Sequence, residues 1–471
     1  MTKSEVNLPK LIGTIVVGSI IWFMPVPKEL DPRAWHLFAI FASTILGIIL
    51  KAMPMGSMCM ASLAIALFTN TLNIKGEALS GFSNGTIWLI VIAFFIARGF
   101  IKTGLGNRIA YFFVYTLGKK TLGLSYGLAL TDLVLAPATP SNTARAGGII
   151  FPIMKSLSLS YDSKPNEPSR KKIGEFLTLS CFQVDVITSA MFLTSMAANP
   201  LIQKFAGDNG VTITWGNWAL AGLVPGLVSL LVVPLIIYKL YTPEIKETPN
   251  AKKIAQEKLT EMGPISKQEW IMIGVFCFLI IFWVLGTTLG INATVTAFGG
   301  LSALLITGVL KWEDIKSEKG AWDTLIWFGV LVMMADFLNK LGFVPWFSQF
   351  VSAEVTGLSW MVAYPILLGI YFYSHYMFAS ATAHVTAMAA VFMAVGIAVG
   401  VPPFLMAISL GFFSNLFGCL THYGMGPAPV LFGSGFVELG DWWKVGFIMS
   451  IVNILIWMII GGAWWKILGL Y

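Results

Sequence analysis

The sequence predicts an all-α polytopic membrane protein with about eleven transmembrane helices plus two re-entrant hairpins, built as an inverted repeat. Three observations carry this. The 471 residues are 56% hydrophobic and only 11% charged, where a soluble domain carries roughly 25% charged residues. Runs such as 87–97, 270–289 and 448–460 are continuously apolar, unlike the alternating pattern of a membrane β-barrel. Finally, the apolar stretches 122–155 and 360–401 are each interrupted near the middle by a polar, helix-breaking sequence. Such a break is tolerated at membrane depth only where it is buried in protein or lines a cavity.

A helix needs about 20 apolar residues to cross a ~30 Å hydrocarbon core. The spans expected on that basis are 11–26, 35–50, 53–72, 86–101, 176–198, 218–238, 270–289, 293–310, 325–341, 403–420 and 445–467. The first is a retained helix rather than a cleaved leader, because Pro25, Pro27 and Lys28 follow it instead of a small-residue cleavage site. Residues 122–155 and 360–401 read as the hairpins, and 104–118 and 342–351 as interfacial helices. The mixed-charge segment 242–269 reads as a solvated linker between two halves. Cys59, Cys181, Cys277 and Cys419 stand apart from one another and read as membrane-core residues, neither disulfides nor metal ligands.

The formal charge of +7 sits in short connections between apolar runs, which is the positive-inside pattern and not a nucleic-acid surface. Lys155, Lys164, Arg170, Lys171 and Lys172 place that connection in the cytoplasm. Counting spans then puts the linker and the amino terminus on the same side and the carboxyl terminus outside, as expected of a multi-pass protein of the plasma (inner) membrane.

The halves repeat. Ser141, Thr143 and Arg145 match Ser380, Thr382 and His384 at a constant offset (380 − 141 = 239). After each hairpin comes a span ending in a polar break, through Asn199-Pro200 in the first half and Thr421 to Gly426-Pro427 in the second. Inverted repeats with broken helices are a frequent transporter plan. The polar groups at the breaks are hydroxyls and amides rather than carboxylates. Ser141, Asn142, Thr143, Ser380 and Thr382 donate hydrogen bonds, and a restarting helix adds free N–H groups and its positive dipole end. That chemistry suits carboxylates, and two such motifs suit a dicarboxylate. The alternative is that these hydroxyls only satisfy backbone groups and join helices; their paired, matched spacing favours binding. Arg145 and His384 are ionisable groups inside the membrane, expensive and therefore functional by default. The competing roles are an ion pair with Asp132 or Asp185 for Arg145, and a neutral, backbone-bonded ring for His384. His375 and His422 are weaker candidates for the same wall; Asp336 and Arg98 read as structural.

Pro140-Ser141-Asn142-Thr143, Ser380-Ala381-Thr382 and the run from Thr421 through Pro429 resemble the divalent anion/sodium symporter family. They look most like its exchanger branch, the citrate/succinate and 2-oxoglutarate/malate translocators. The resemblance implies substrate contacts at Ser141, Asn142, Thr143, Ser380, Ala381 and Thr382, with Asn199, Pro200, Thr421, Gly426 and Pro427 at the facing breaks. It also implies a homodimer in which a transport domain moves against a scaffold like an elevator. On that plan, 1–118 and 270–353 form scaffold, 119–241 and 354–471 form transport domain, and 242–269 is the cytoplasmic linker. Ala381 departs from the family pattern where an Asn is frequent, removing one amide contact and putting sodium coordination at that hairpin in doubt.

If Arg145 and protonated His384 supply the charge that coupling cations bring to a symporter, the charge never leaves. The expected function is then sodium-independent antiport of C4/C5 dicarboxylates of the 2-oxoglutarate, malate, succinate and fumarate class, with no cofactor and no metal. The alternatives are a sodium-coupled di- or tricarboxylate symporter of the same family and, less favoured, an anion channel. An enzyme is not expected: HExxH and the phosphate-loop signature are missing from the sequence. Arg145→Ala is expected to lose exchange while leaving the fold intact.

Overall fold

In the computed structural model, which describes residues 6–28, 30–354 and 359–471, helix ends follow local capping chemistry. Asn7 caps α1 (Leu8–Phe23) and Asp31 caps α2 (Pro32–Ile49), each accepting from a first-turn N–H with a proline beside it. α3 (Met55–Phe68) and α4 (Gly85–Thr103) follow, and Gly104, at φ 77°, turns the chain into the amphipathic α5 (Leu105–Leu117). The first hairpin runs down α6 (Thr121–Leu135), breaks, and returns through a π-helical segment, Thr143–Ile150, into α7 (Phe151–Ser160). Next come α8 (Gly174–Met191), α9 (Asn199–Asp208), α10 (Trp215–Leu240) and the linker helix α11 (Pro249–Glu261). The second half comprises α12 (Lys267–Leu289), α13 (Ala293–Ile306), α14 (Trp312–Ser317), α15 (Lys319–Lys340) and α16 (Phe343–Glu354). Its hairpin is formed by α17 (Trp360–Tyr373), α18 (Ala381–His384), a π-helical segment Val385–Ala389 and α19 (Ala390–Ala398). α20 (Pro403–Leu416), α21 (Ala428–Phe432), α22 (Leu439–Leu455) and α23 (Gly462–Ile467) complete the chain.

The all-helical class and both broken hairpins stand, and each of the eleven expected spans is helical. Their lengths are less uniform than expected. Among the described residues nine helices are long and apolar enough to cross a membrane, and two of the nine, Thr121–Ala138 and Ala381–Ala398, are hairpin arms. Seven (9 − 2) of the eleven expected spans therefore qualify outright. α1, α3 and α13 are apolar but shorter than 18 residues. α8 reaches 18 residues, yet every one of them is buried, including Glu175, Gln183 and Asp185. A helix with no lipid-facing side needs no apolar exterior, so it holds polar groups that lower its hydropathy.

Contacts divide the chain into two compact units: Met1–Val91, Pro200–Thr212 and Lys319–Leu410 form one, and Ile92–Asn199, Ile213–Glu318 and Gly411–Tyr471 the other. In the first unit α2 packs on α1 and α3, with the Trp35 indole N–H donating to the Ile21 carbonyl at 2.8 Å and Thr44 Oγ1 donating to Ser62 Oγ at 2.6 Å. The segment Ser80–Ser83 lies against α15 so closely that a Cβ on Gly81 would stand 1.9 Å from the Gly329 carbonyl oxygen. Backbone cannot yield there as a side chain would, so Gly81→Ala is expected to cost at least about 1–3 kcal/mol, read as a lowered melting temperature in detergent.

The second unit is centred on α8, which packs against α6, α7 and α10. Beside it Phe412 meets Trp218, Trp457 and Trp465 at ring-centroid distances of 5.4, 4.6 and 5.6 Å. Each of these three indole N–H groups finds an acceptor: Ala190 O for Trp218, Ser229 Oγ for Trp457 and Ala221 O for Trp465. The linker belongs to the same unit. Thr121 N–H donates to Lys246 O and Thr248 N–H to Lys119 O, tying its start to the foot of the first hairpin. Arg108 closes its far end through Glu269 at 2.5 Å and the Gly263 carbonyl at 2.9 Å.

Candidate functional site

The second unit holds the first motif. α6 stops where Pro137 and Pro140 remove backbone donors, and the chain crosses residues 139–142 before the helix restarts. Ser141 and Asn142 satisfy the restarting N–H groups: Ala144 N–H donates to Ser141 Oγ at 3.1 Å and Thr143 N–H to Asn142 Oδ1 at 2.9 Å. Accepting occupies a lone pair and leaves the Ser141 hydroxyl proton to donate. The first unit repeats the device. Ala383 N–H donates to Ser380 Oγ at 3.3 Å, and the backbone bond from Arg145 N–H to Ser141 O has its counterpart from His384 N–H to Ser380 O. Both helices then widen into π-helical turns, which occur mostly at functional sites.

Within the second unit the break after α20 comes back onto the first motif. A Cβ placed on Gly426 would lie 2.0 Å from Thr143 Oγ1 and 3.8 Å from Asn142 Oδ1. Only hydrogen at that position allows so close an approach. Ser141 and Thr143 are half-buried and Gly426 exposed, whereas Thr421, Pro427 and Asn142 are buried. Thr143 and Gly426, 283 positions apart in sequence (426 − 143), thus share one accessible corner.

Arg145 is fully buried, and all five of its donors are taken. Nε donates to Asp132 Oδ1 at 2.6 Å. Nη1 donates to the Thr139 and Ser195 carbonyls at 2.9 and 3.0 Å. Nη2 donates to Asp185 Oδ1 and Ser189 Oγ, each at 2.9 Å, and to Thr188 Oγ1 at 3.3 Å. Thr188 in turn donates to Asp132 Oδ2. The sequence posed Asp132 or Asp185 as partner; the guanidinium takes both. An Arg145 that presents its charge directly to substrate is therefore not what the geometry holds, because a sealed guanidinium has no donor left to give.

Asn199 is committed in the same way. Its Nδ2 donates to the Ser189 and Phe192 carbonyls, each at 2.9 Å, and its Oδ1 accepts from Asn415 Nδ2 at 2.7 Å. Asn415, like Gln183, which donates to the Cys419 carbonyl at 3.2 Å, escaped sequence reasoning; both are lone amides in apolar helices. His422 lies in this unit, where its Nδ1 accepts from the Trp443 indole at 3.1 Å.

In the first unit Pro200, Ala381 and His384 are buried, and Ser380 and Thr382 half-buried. His384 stacks on Phe378 at 4.4 Å, and its Nε2 meets Ser374 Oγ at 3.2 Å. Its Nδ1 lies 3.0 Å from His375 Nδ1. Two ring nitrogens at that distance share one proton, so the pair carries at most one positive charge. His375, the weaker candidate by sequence, is the direct partner of the stronger one.

Comparison with known proteins locates this architecture. Residues 5–471 match the sodium:sulfate symporter transmembrane region. The chain is 59% identical over 470 residues, 100% of this chain and 98% of the relative, to the Bacillus subtilis (strain 168) protein named "Putative malate transporter YflS". It is 50% identical over 468 residues, 99% of this chain and 82% of the relative, to "Dicarboxylate transporter 1, chloroplastic" of Spinacia oleracea. The crystal structure of the Alcanivorax borkumensis YdaH transporter shares the fold, at a TM-score of 0.55 and 12% identity over 97% of this chain and 96% of that one. This multi-pass membrane protein is a transporter rather than an enzyme, and it belongs to the divalent anion/sodium symporter family.

Proposed function

We propose that the protein is a sodium-independent antiporter of C4/C5 dicarboxylates (2-oxoglutarate, malate, succinate, fumarate class) in the plasma membrane, working by an elevator movement as a homodimer. The substrate class follows the names of two relatives, "Putative malate transporter YflS" and "Dicarboxylate transporter 1, chloroplastic". It also fits donors without carboxylates at Ser141, Asn142, Thr143, Ser380 and Thr382, each motif recognising a carboxylate. The amino terminus and the lysine-rich connection lie in the cytoplasm, with the carboxyl terminus outside.

One observation carries the sodium-independent reading. Arg145 Nη1 is held by the carbonyls of Thr139 and Ser195, at the breaks that follow α6 and α8. Carbonyls where transmembrane helices unwind are the groups that coordinate coupling cations in broken-helix transporters. Here a covalently attached cation holds them, so the tip is ordered without an ion that must bind and leave. The His375–His384 pair is the corresponding candidate in the other half, with Ala381 in place of an amide. An empty carrier returning across the bilayer would take an unfilled set of hydroxyl and amide donors with it, which favours return with a second dicarboxylate.

Arg145 also supports the elevator. It joins α6, the hairpin tip, α8 and the following break, so the tip cannot open away from α8 without exposing buried charges, a cost of about 3–5 kcal/mol. Movement of the hairpin and α8 as one body avoids that cost.

The test is counterflow in proteoliposomes. Uptake of labelled malate into vesicles loaded with a dicarboxylate is expected to be equal in sodium and in sodium-free buffer, and to vanish in unloaded vesicles. A sodium gradient that drives net accumulation into unloaded vesicles would return the protein to the symporters. A panel of internal and external dicarboxylates in the same assay then defines the exchanged pair.

A further inference from the structure

α9 leaves the break that Arg145 holds through Ser195, and within its own unit it meets α15 through a largely buried ion pair. Lys204 of α9 donates to Asp336 of α15, with the two side chains 11% and 16% exposed. On its other side Lys204 Nζ bonds Asp208, one turn along α9, at 2.7 Å. Asp336 likewise has a cation one turn along its own helix, Lys340, whose ammonium here rests over the Phe337 ring at 4.9 Å. Asp followed by Lys at i+4 is the orientation that pairs well on a helix. Lys204 thus has a second partner on its own helix, and Asp336 has a cation one turn away on its own.

That arrangement differs from the Arg145 cluster. Separating Arg145 from its carboxylates leaves buried charges bare, whereas separating Lys204 from Asp336 leaves Lys204 with Asp208 and Asp336 within reach of Lys340. An ion pair with a replacement for both partners is one that can be made and broken repeatedly at low cost. We propose that Lys204 and Asp336 form a releasable latch between α9 and α15, closed in the state described here and open at the other end of the transport movement. The proposal rests on the elevator reading, in which α9 belongs to the moving segment 119–241 and α15 to the scaffold segment 270–353, a boundary that runs through the compact unit the two helices share.

Two measurements on the full chain test it, both by malate exchange in proteoliposomes of known protein orientation. Asp336→Asn keeps Lys204 paired with Asp208, so the protein is expected to fold. Losing the latch depopulates the closed state, so the half-saturating malate concentration is expected to rise threefold or more on the face open in that state and to fall on the opposite face. Equal changes on both faces, or a lowered melting temperature alone, would make the pair merely structural and overturn the latch.

The second measurement uses Cys277→Ser as background, since Cys277 is exposed and the other cysteines are buried. Bridging Lys204→Cys to Asp336→Cys with a short cleavable bis-thiosulfonate is expected to stop exchange, and reductant to restore it. Exchange that continues in the bridged protein overturns the latch. A disulfide between Ser125→Cys and Ser180→Cys, whose hydroxyls lie 2.5 Å apart between α6 and α8, is expected to leave exchange intact. Loss of exchange on closing that disulfide defeats the elevator reading itself, and so separates its failure from failure of the latch.

Discussion

Arg145→Ala is expected to abolish exchange and to destabilise the protein by about 3–5 kcal/mol, the cost of leaving buried charges without their partner. From the sequence, the same substitution was expected to spare the fold. The structure reverses that half of the expectation, because Asp132 and Asp185 lose their common cation and the Thr139 and Ser195 carbonyls lose their donor. Melting of the detergent-solubilised protein reads the loss of stability. Arg145→Lys keeps the charge without the planar fork and is expected to recover part of the stability and little exchange. The decisive variant combines Arg145→Ala with Asp132→Asn and Asp185→Asn. It removes the bare charges, so stability is expected to return while exchange does not. Full exchange in that triple variant would reduce Arg145 to a counter-ion for two carboxylates.

Gly426→Ala is the other change with a large expected effect. Its new methyl group would lie 2.0 Å from Thr143 Oγ1, well inside van der Waals contact, at the corner where the second break meets the first motif. Thr143 must rotate or the break must retreat. Overpacking of this kind costs about 1–3 kcal/mol, so the protein is expected to fold. Malate exchange is expected to fall at least about tenfold, since even 1.4 kcal/mol of lost binding has that effect. Adding Thr143→Ala removes the clashing hydroxyl. Recovered melting temperature without recovered exchange is the expected result, and it identifies the hydroxyl as a substrate contact. Recovery of both would mean that Gly426 matters only for packing.

The hairpins were legible because a hydroxyl and proline sequence inside an apolar run has no other comfortable explanation in a bilayer. The repeat was legible at single-residue level. Ser141 and Ser380, 239 positions apart, cap their helices with the same bond to the N–H three residues on. Span lengths were less legible. The hydropathy of α8 is lowered by polar residues that never face lipid, and nothing local distinguishes a wholly buried helix from a poor span. The choice between a presented and a sealed Arg145 was also out of reach. Both carboxylates were visible as candidates, but α6 and α8 had to be packed side by side before both could reach one guanidinium.

The sequence by itself determined the solvent in which this chain folds, the helical class, the two broken hairpins and the hydroxyl-rich motifs at their tips. Those properties are local: hydrophobic length, missing backbone donors and capping side chains act over one or two helical turns. Tertiary structure decided how the polar groups are used. It sealed Arg145 with Asp132, Asp185 and Ser195, 13, 40 and 50 positions away. It joined His375 to His384, turned Asn199 inward, and laid Gly426 on Thr143. In the membrane interior no water satisfies a polar group, so each takes its partner from whatever helix packs beside it.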